Sequence, residues 1–147
     1  MGTDREQIIE VAVRYCTAMD TKDWSLLDRC FVADATVLYP GFDELRGLPA
    51  LVGFLDGILG PLDATQHIAT NFTVEVEGEE ASATSYLHAQ HVRHDAPGGP
   101  NFIFAGTYRD RLKRTEEGWR ITRRELTTTW VEGNSRVLDE VSPERKS

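Results

Sequence analysis

The sequence predicts a single α+β domain with helices on one face of an antiparallel sheet, and three observations carry that expectation. The chain has 147 residues, room for one core at roughly 100–200 residues per domain. Its N-terminal part keeps returning apolar residues to one face of a helical period. The rest is four long β-rich runs separated by short turns, the texture of an antiparallel meander.

Residues 4–20 place Ile8, Ile9, Ala12, Val13, Tyr15, Cys16 and Met19 on one helical face, with Thr3 or Asp4 able to cap the start. Asp20-Thr21-Lys22-Asp23 breaks the pattern, and Asp23 is placed to cap a second, short helix through Trp24, Leu27 and Phe31. Ala35-Thr36-Val37-Leu38-Tyr39, closed by Pro40-Gly41, reads as a strand and a turn. A third helix runs from about Leu48 to Leu59, carries Leu51, Val52, Phe54, Leu55 and Ile58 on a broad face, and stops at Gly60-Pro61. The β-rich runs are residues 65–77, 80–94, 101–114 and 118–131. Residues 1–133 thus form the expected domain. Residues 134–147 read as a polar C-terminal tail, either disordered or laid on a neighbouring subunit.

Hydrophobic residues make up 40% and charged residues 27%, an ordinary globular mix, while the net charge is −8 and the pI near 5.0. An acidic body without a basic stripe repels phosphate backbones, which argues against nucleic acid as a partner. No apolar run approaches the ~18–20 residues that span a bilayer, and the N-terminus carries acids where a signal peptide would be apolar, so a cytoplasmic protein without a membrane partner is expected. Cys16 and Cys30 lack metal-site spacing and read as core thiols. No phosphate loop, GxSxG elbow, HExxH helix or Ca²⁺ loop occurs, and the expectation is no metal and no cofactor.

Four places could carry chemistry. Asp20 closes its helix where the macrodipole disfavours a carboxylate, so it is either a turn former or a functional group. Tyr15, about 140° away around an ideal helix, is by itself a core residue. His67 opens the first meander strand; alone it is structural, but a carboxylate behind it would fix its tautomer and stabilise its cation, and Asp20 could supply one. Among His88, His91 and His94, strand alternation separates His91 from the other two, so the run makes no three-ligand metal site, and His91 shares the apolar face of Ser85, Leu87 and Ala89. Phe102, Phe104, Gly106 and Tyr108 alternate into an aromatic wall, for core packing or for a ligand, with a glycine where a ligand or another backbone approaches.

Several segments together carry a resemblance. Arg14-Tyr15-x4-Asp20-x2-Asp23-Trp24, Phe31-x2-Asp34-Ala35, His67-x2-Thr70-Asn71, Gly106-Thr107-Tyr108 and Gly118-Trp119-Arg120-Ile121 occur in the order seen in the SnoaL-like group of the NTF2-like superfamily, over nearly the whole chain. The resemblance implies a cone-shaped fold, a curved antiparallel sheet wrapped around three N-terminal helices with a pocket in its mouth. By motif the chain is most similar to the scytalone dehydratase, bile-acid dehydratase and hexachlorocyclohexane dehydrochlorinase branch, which implies an Asp-His pair in the pocket. Asp20 and His67 match that pair, Tyr15 falls where a dehydratase tyrosine sits, and His91 matches a second histidine. Arg123 or Arg124 matches a further pocket position, the choice resting on a bulge in the last strand.

The reading that follows is a cofactor-independent lyase of dehydratase type, or an isomerase, acting on a small hydrophobic ring compound. His67 takes a proton from carbon, Asp20 orients it, and Tyr15 or His91 assists an oxygen. Tyr39 and Phe54 from the helical half, with Leu87, Phe102, Phe104, Tyr108 and Trp130 from the meander, are the expected substrate contacts. The alternative is a non-catalytic pocket or oligomerisation module of the same fold. A homodimer or homotrimer through the outer sheet face is expected, because alternation leaves four long strands a full second face.

Overall fold

The computed structural model describes residues 2–139. Helix α1 spans Asp4–Thr21 and is followed by a 3-10 turn, Trp24–Arg29. Strands β1 (Phe31–Leu38) and β2 (Leu45–Arg46) come next, then helix α2 (Leu48–Leu59). The meander is β3 (Ala64–Glu77), β4 (Glu80–Val92), β5 (Asn101–Thr115) and β6 (Gly118–Gly133). One six-stranded sheet results, in the order β2-β1-β6-β5-β4-β3. The expected α+β architecture is present, with α1, the 3-10 turn and α2 on the concave side of a curved sheet. Two details differ from the expectation. The first strand starts earlier, at Phe31, and pairs parallel to β6, so the sheet is antiparallel at every pair but one. Asp23 makes no side-chain bond to the helix backbone; its carboxylate accepts from Ser25 Oγ, and the segment stays a 3-10 turn because Phe31 already belongs to β1.

Helix α1 is pinned at both ends, which sets what its side chains face. At the start, the Thr3 hydroxyl accepts from the Glu6 N–H, and the Asp4 carboxylate receives Arg114 Nη1 at 2.8 Å and Trp119 Nε1 at 3.1 Å from the β5–β6 hairpin. At the end, Lys22 takes a left-handed conformation, and its ammonium donates to the carbonyls of Gly60 (2.8 Å) and Leu62 (2.6 Å) just past α2. Between these anchors Ile8, Val11, Tyr15, Ala18 and Met19 are buried with Leu51, Leu55 and Leu59 of α2 against Leu87, Tyr108, Leu112 and Ile121 of the sheet. Both cysteines lie in this body, and burial pushes each thiol up to about 11, so neither is a thiolate at neutral pH.

The segment that reads as a polar tail starts with a 3-10 turn, Ser135–Leu138, folded onto the domain. Val137 is fully buried, the Arg93 guanidinium donates to the carbonyls of Val137 and Arg136, and the Asn134 amide donates to those of Pro97 and Gly99. Residues 140–147 lie outside the described residues. Among the described residues no helix is long and apolar enough to cross a membrane.

Candidate active site

Where the sheet curls away from the helices it leaves a cavity of about 460 Å³, lined mainly by apolar groups. Curvature comes from bulges. The β3–β4 register slips between Thr70 and Thr73, where Asn71 adopts φ 55°, and the β5–β6 register slips at Ala105/Gly106 and at Arg111/Leu112.

Asp20 projects from the last turn of α1 onto β3, the edge strand of the sheet. Its carboxylate accepts from the His67 backbone N–H (3.0 Å to Oδ2), from Thr65 Oγ1 (3.0 Å to Oδ1) and from His67 Nδ1 (2.7 Å to Oδ1). Burial pushes this carboxyl up, but the hydrogen bonds from the His67 side chain and backbone outweigh it and hold Asp20 below the usual carboxylate range. Asp20 is therefore ionised at neutral pH, and since a carboxylate only accepts, His67 Nδ1 carries the proton facing it; Nε2 is the acceptor of the neutral ring in that tautomer. The His67 side chain is only 6% exposed and lines the cavity.

His91 lies edge-on to His67, ring centroids 5.5 Å apart, and its Nδ1 faces the Phe102 carbonyl at 3.2 Å. A carbonyl only accepts, so this nitrogen holds the proton and Nε2 is an acceptor. Burial, with the neighbouring His67, lowers the His91 pKa to about 4, which leaves the ring neutral. His88 points away from the cavity, edge-on to Trp130, and His94 is exposed.

Tyr15 and Tyr39 join their hydroxyls in a hydrogen bond at the cavity wall. Tyr39 also stacks on Phe54 (5.2 Å between centroids), with Phe42 edge-on at the mouth. Leu87, Phe102, Phe104 and Tyr108 complete the sheet wall. Of the expected contacts, Trp130 alone is displaced: it sits on the outer face, 44% exposed. The bulge opposite Ala105/Gly106 inserts Thr129 into β6, so the inward positions run Leu126, Thr128, then Val131, and Trp130 turns outward. The other bulge decides between the arginines. With Thr122 as the extra residue, Arg124 turns inward and is wholly buried, while Arg123 is exposed beside Glu44.

Sequence reasoning missed several contributors. Ser135 and Leu138 reach the cavity from the segment read as tail, and Phe42 from the turn after β1. Asp110 forms a bidentate pair with Arg124 at 2.7 and 2.8 Å. Its signal was present: Asp110 continues the inward parity of Phe102, Phe104 and Tyr108, and a carboxylate at a core position calls for a buried cation.

Fold, bulged sheet and Asp-His pair together define an NTF2-like domain. A SnoaL-like domain profile matches residues 2–125, and an uncharacterized protein of Mycobacterium tuberculosis is 33% identical over 124 residues, 83% of each chain. The chain belongs to the SnoaL-like family. Among solved structures it is similar to a protein of Kribbella flavida (26% identity, TM-score 0.85, covering 91% of this chain and 96% of that one). It is also similar to a Novosphingobium aromaticivorans protein provisionally described as a scytalone dehydratase (28% identity, TM-score 0.78, 87% and 85%). A hexachlorocyclohexane dehydrochlorinase shares the fold at 16% identity, with a TM-score of 0.79 over 87% and 86% of the two chains.

Proposed function

We propose that this protein is a cofactor-independent lyase of the dehydratase class, acting on a small, largely apolar ring compound such as a steroid-like or polyketide-like molecule. The observation that carries the reading is the 2.7 Å contact between Asp20 and His67 Nδ1, with His67 in the cavity wall. His67 Nε2 takes a proton from a carbon of the substrate, and Asp20, ionised beside it, stabilises the imidazolium that forms. The Tyr15–Tyr39 pair donates to the substrate oxygen on which charge develops. His91 is unsuited to that donation, since its cavity nitrogen has no proton; the C–O bond breaks as His67 Nε2 returns the proton taken from carbon to the departing hydroxyl, which leaves as water. The likeness to a provisionally described scytalone dehydratase supports elimination of water as the net reaction.

The apolar lining also supports a second reading, a hydrophobic-ligand carrier without chemistry. One experiment separates the two. Native mass spectrometry of the purified protein identifies a retained ligand, and solvent-deuterium incorporation into that ligand, or its loss of water, is then followed for wild type and His67→Ala. The lyase reading expects binding by both proteins and reaction by wild type alone. Binding without reaction in wild type would leave the carrier, and unchanged reaction by His67→Ala would remove His67 as the base.

A further inference from the structure

Beneath the tyrosine pair lies a buried ion pair that proton abstraction does not use. Arg124 is 0% exposed, and its Nε and Nη2 donate to Asp110. Its guanidinium carbon lies 4.4 Å from the centroid of the Tyr15 ring and 3.8 Å from that of Tyr108. Among the described residues, Arg124 Nη1 is the one buried side-chain nitrogen or oxygen without a hydrogen-bond partner. Stability does not account for this arrangement, because well-packed apolar residues commonly serve as well as a buried pair. A cation on the face of a phenol has a second effect: it draws electron density from the ring and strengthens the O–H as a donor.

We propose that Arg124 is a positioning residue of this site: seated on the ring of Tyr15 and held there by Asp110, it makes the Tyr15–Tyr39 hydroxyls stronger donors, so the pocket prefers ligands with an enolate- or phenolate-like oxyanion to their neutral forms. The idea deepens the lyase reading and rests on it, since loss of a proton beside a carbonyl creates such an oxygen. The groups facing the pair are Cys16 from α1, Tyr108 and Asp110 from β5, and Arg124 from β6, with His67 also in the cavity wall and Asp20 bonded to its Nδ1. Burial pushes the Tyr15 and Tyr39 phenols up while Arg124 pulls them down, and both remain protonated donors at neutral pH.

The test uses 4-nitrophenol, whose visible absorbance reports its ionisation, with nitrobenzene as a probe that cannot ionise. Wild type is expected to bind the phenolate more tightly than the phenol, so the midpoint of ionisation falls on binding. Asp110→Asn, which leaves the arginine charge uncompensated, is expected to strengthen the preference. The paired Arg124→Gln/Asp110→Asn variant is expected to weaken it roughly tenfold or more, with nitrobenzene affinity within about twofold of wild type. Equal losses for both probes would make Arg124 merely structural, and absence of phenolate preference in wild type would overturn the proposal even if no variant folds. Because nothing is turned over, the outcome is separable from the lyase reading: His67→Ala is expected to keep the phenolate preference while losing reaction.

Discussion

Asp20 is asked to satisfy three donors at once, and an amide cannot. In Asp20→Asn one oxygen would become an NH₂ group facing N–H and O–H donors, and contact with His67 Nδ1 would favour the tautomer whose proton sits on Nε2, where it blocks the base. The variant is expected to lose about 10²–10⁴ in rate, and about 1–3 kcal/mol of stability from the unmatched donors; kinetics and urea denaturation check the two separately. His91 makes a different prediction. An unfolded histidine titrates near 6.5 and the folded one near 4, so as pH falls through that interval the unfolded chain takes up a proton that the folded protein refuses. Stability should drop between those values by up to about 3 kcal/mol. Asp4 and Asp20, held low in the fold, act in a lower window: their contribution is present above about 3.8 and is lost as pH falls through their depressed values. Urea midpoints measured from neutrality to pH 4.5 should therefore slope in wild type and flatten in His91→Gln. At this scale the Asp-His pair was legible because each partner has a motif around it. For the Asp110–Arg124 pair the parity of Asp110 was readable, but which arginine meets it was hidden by a one-residue bulge that no residue type announces.

At the scale of elements, helices and strands were readable because periods of 3.6 and 2 differ over many residues, whereas a bulge changes parity with a single insertion. That is why Phe102, Phe104 and Tyr108 in β5, whose own alternation is unbroken there, face the cavity as expected, while Trp130 in β6 does not. Gly106 shows which of its two readings holds. A Cβ there would lie 2.3 Å from the Thr127 carbonyl oxygen and 2.7 Å from Phe104 Cε1, so the approaching group is another backbone. Gly106→Ala is accordingly expected to force the bulge open and push Phe104 from its seat. A loss on the order of 1–3 kcal/mol in thermal or urea unfolding should accompany weaker ligand binding; an unchanged midpoint would mean that the strands relax around the methyl at no cost. The parallel pairing of β1 with β6 was not readable, because it joins segments far apart in sequence and depends on where α2 sends the chain.

Taken as a whole, the molecule spends one face of its sheet on helices and cavity, and the other is left to solvent or to a partner. Across that outer face the register aligns Ile68, His88, Ala105 and Trp130 in one row, and Thr70, Tyr86, Thr107 and Thr127 in the next. Ile68, Tyr86 and Trp130 are 47%, 57% and 44% exposed there, with His88 closed edge-on against the Trp130 indole. Large side chains left this open in adjacent rows, without a charge among them, resemble the centre of an association surface more than a solvated sheet. Further along the strands the same face becomes charged, with Arg109, Arg111 and Arg123 beside Glu125, as a rim would. Light scattering at micromolar concentration is therefore expected to give two or three times the 16.5 kDa chain mass. Tyr86→Glu, which sets a carboxylate in the middle of the neutral rows, should return the monomer while leaving the cavity on the opposite face intact, so ligand binding persists as the mass falls. A wild-type mass of one chain would instead assign the outer face to solvent, and the tryptophan that turned outward at the bulge would then have no packing role beyond its contact with His88.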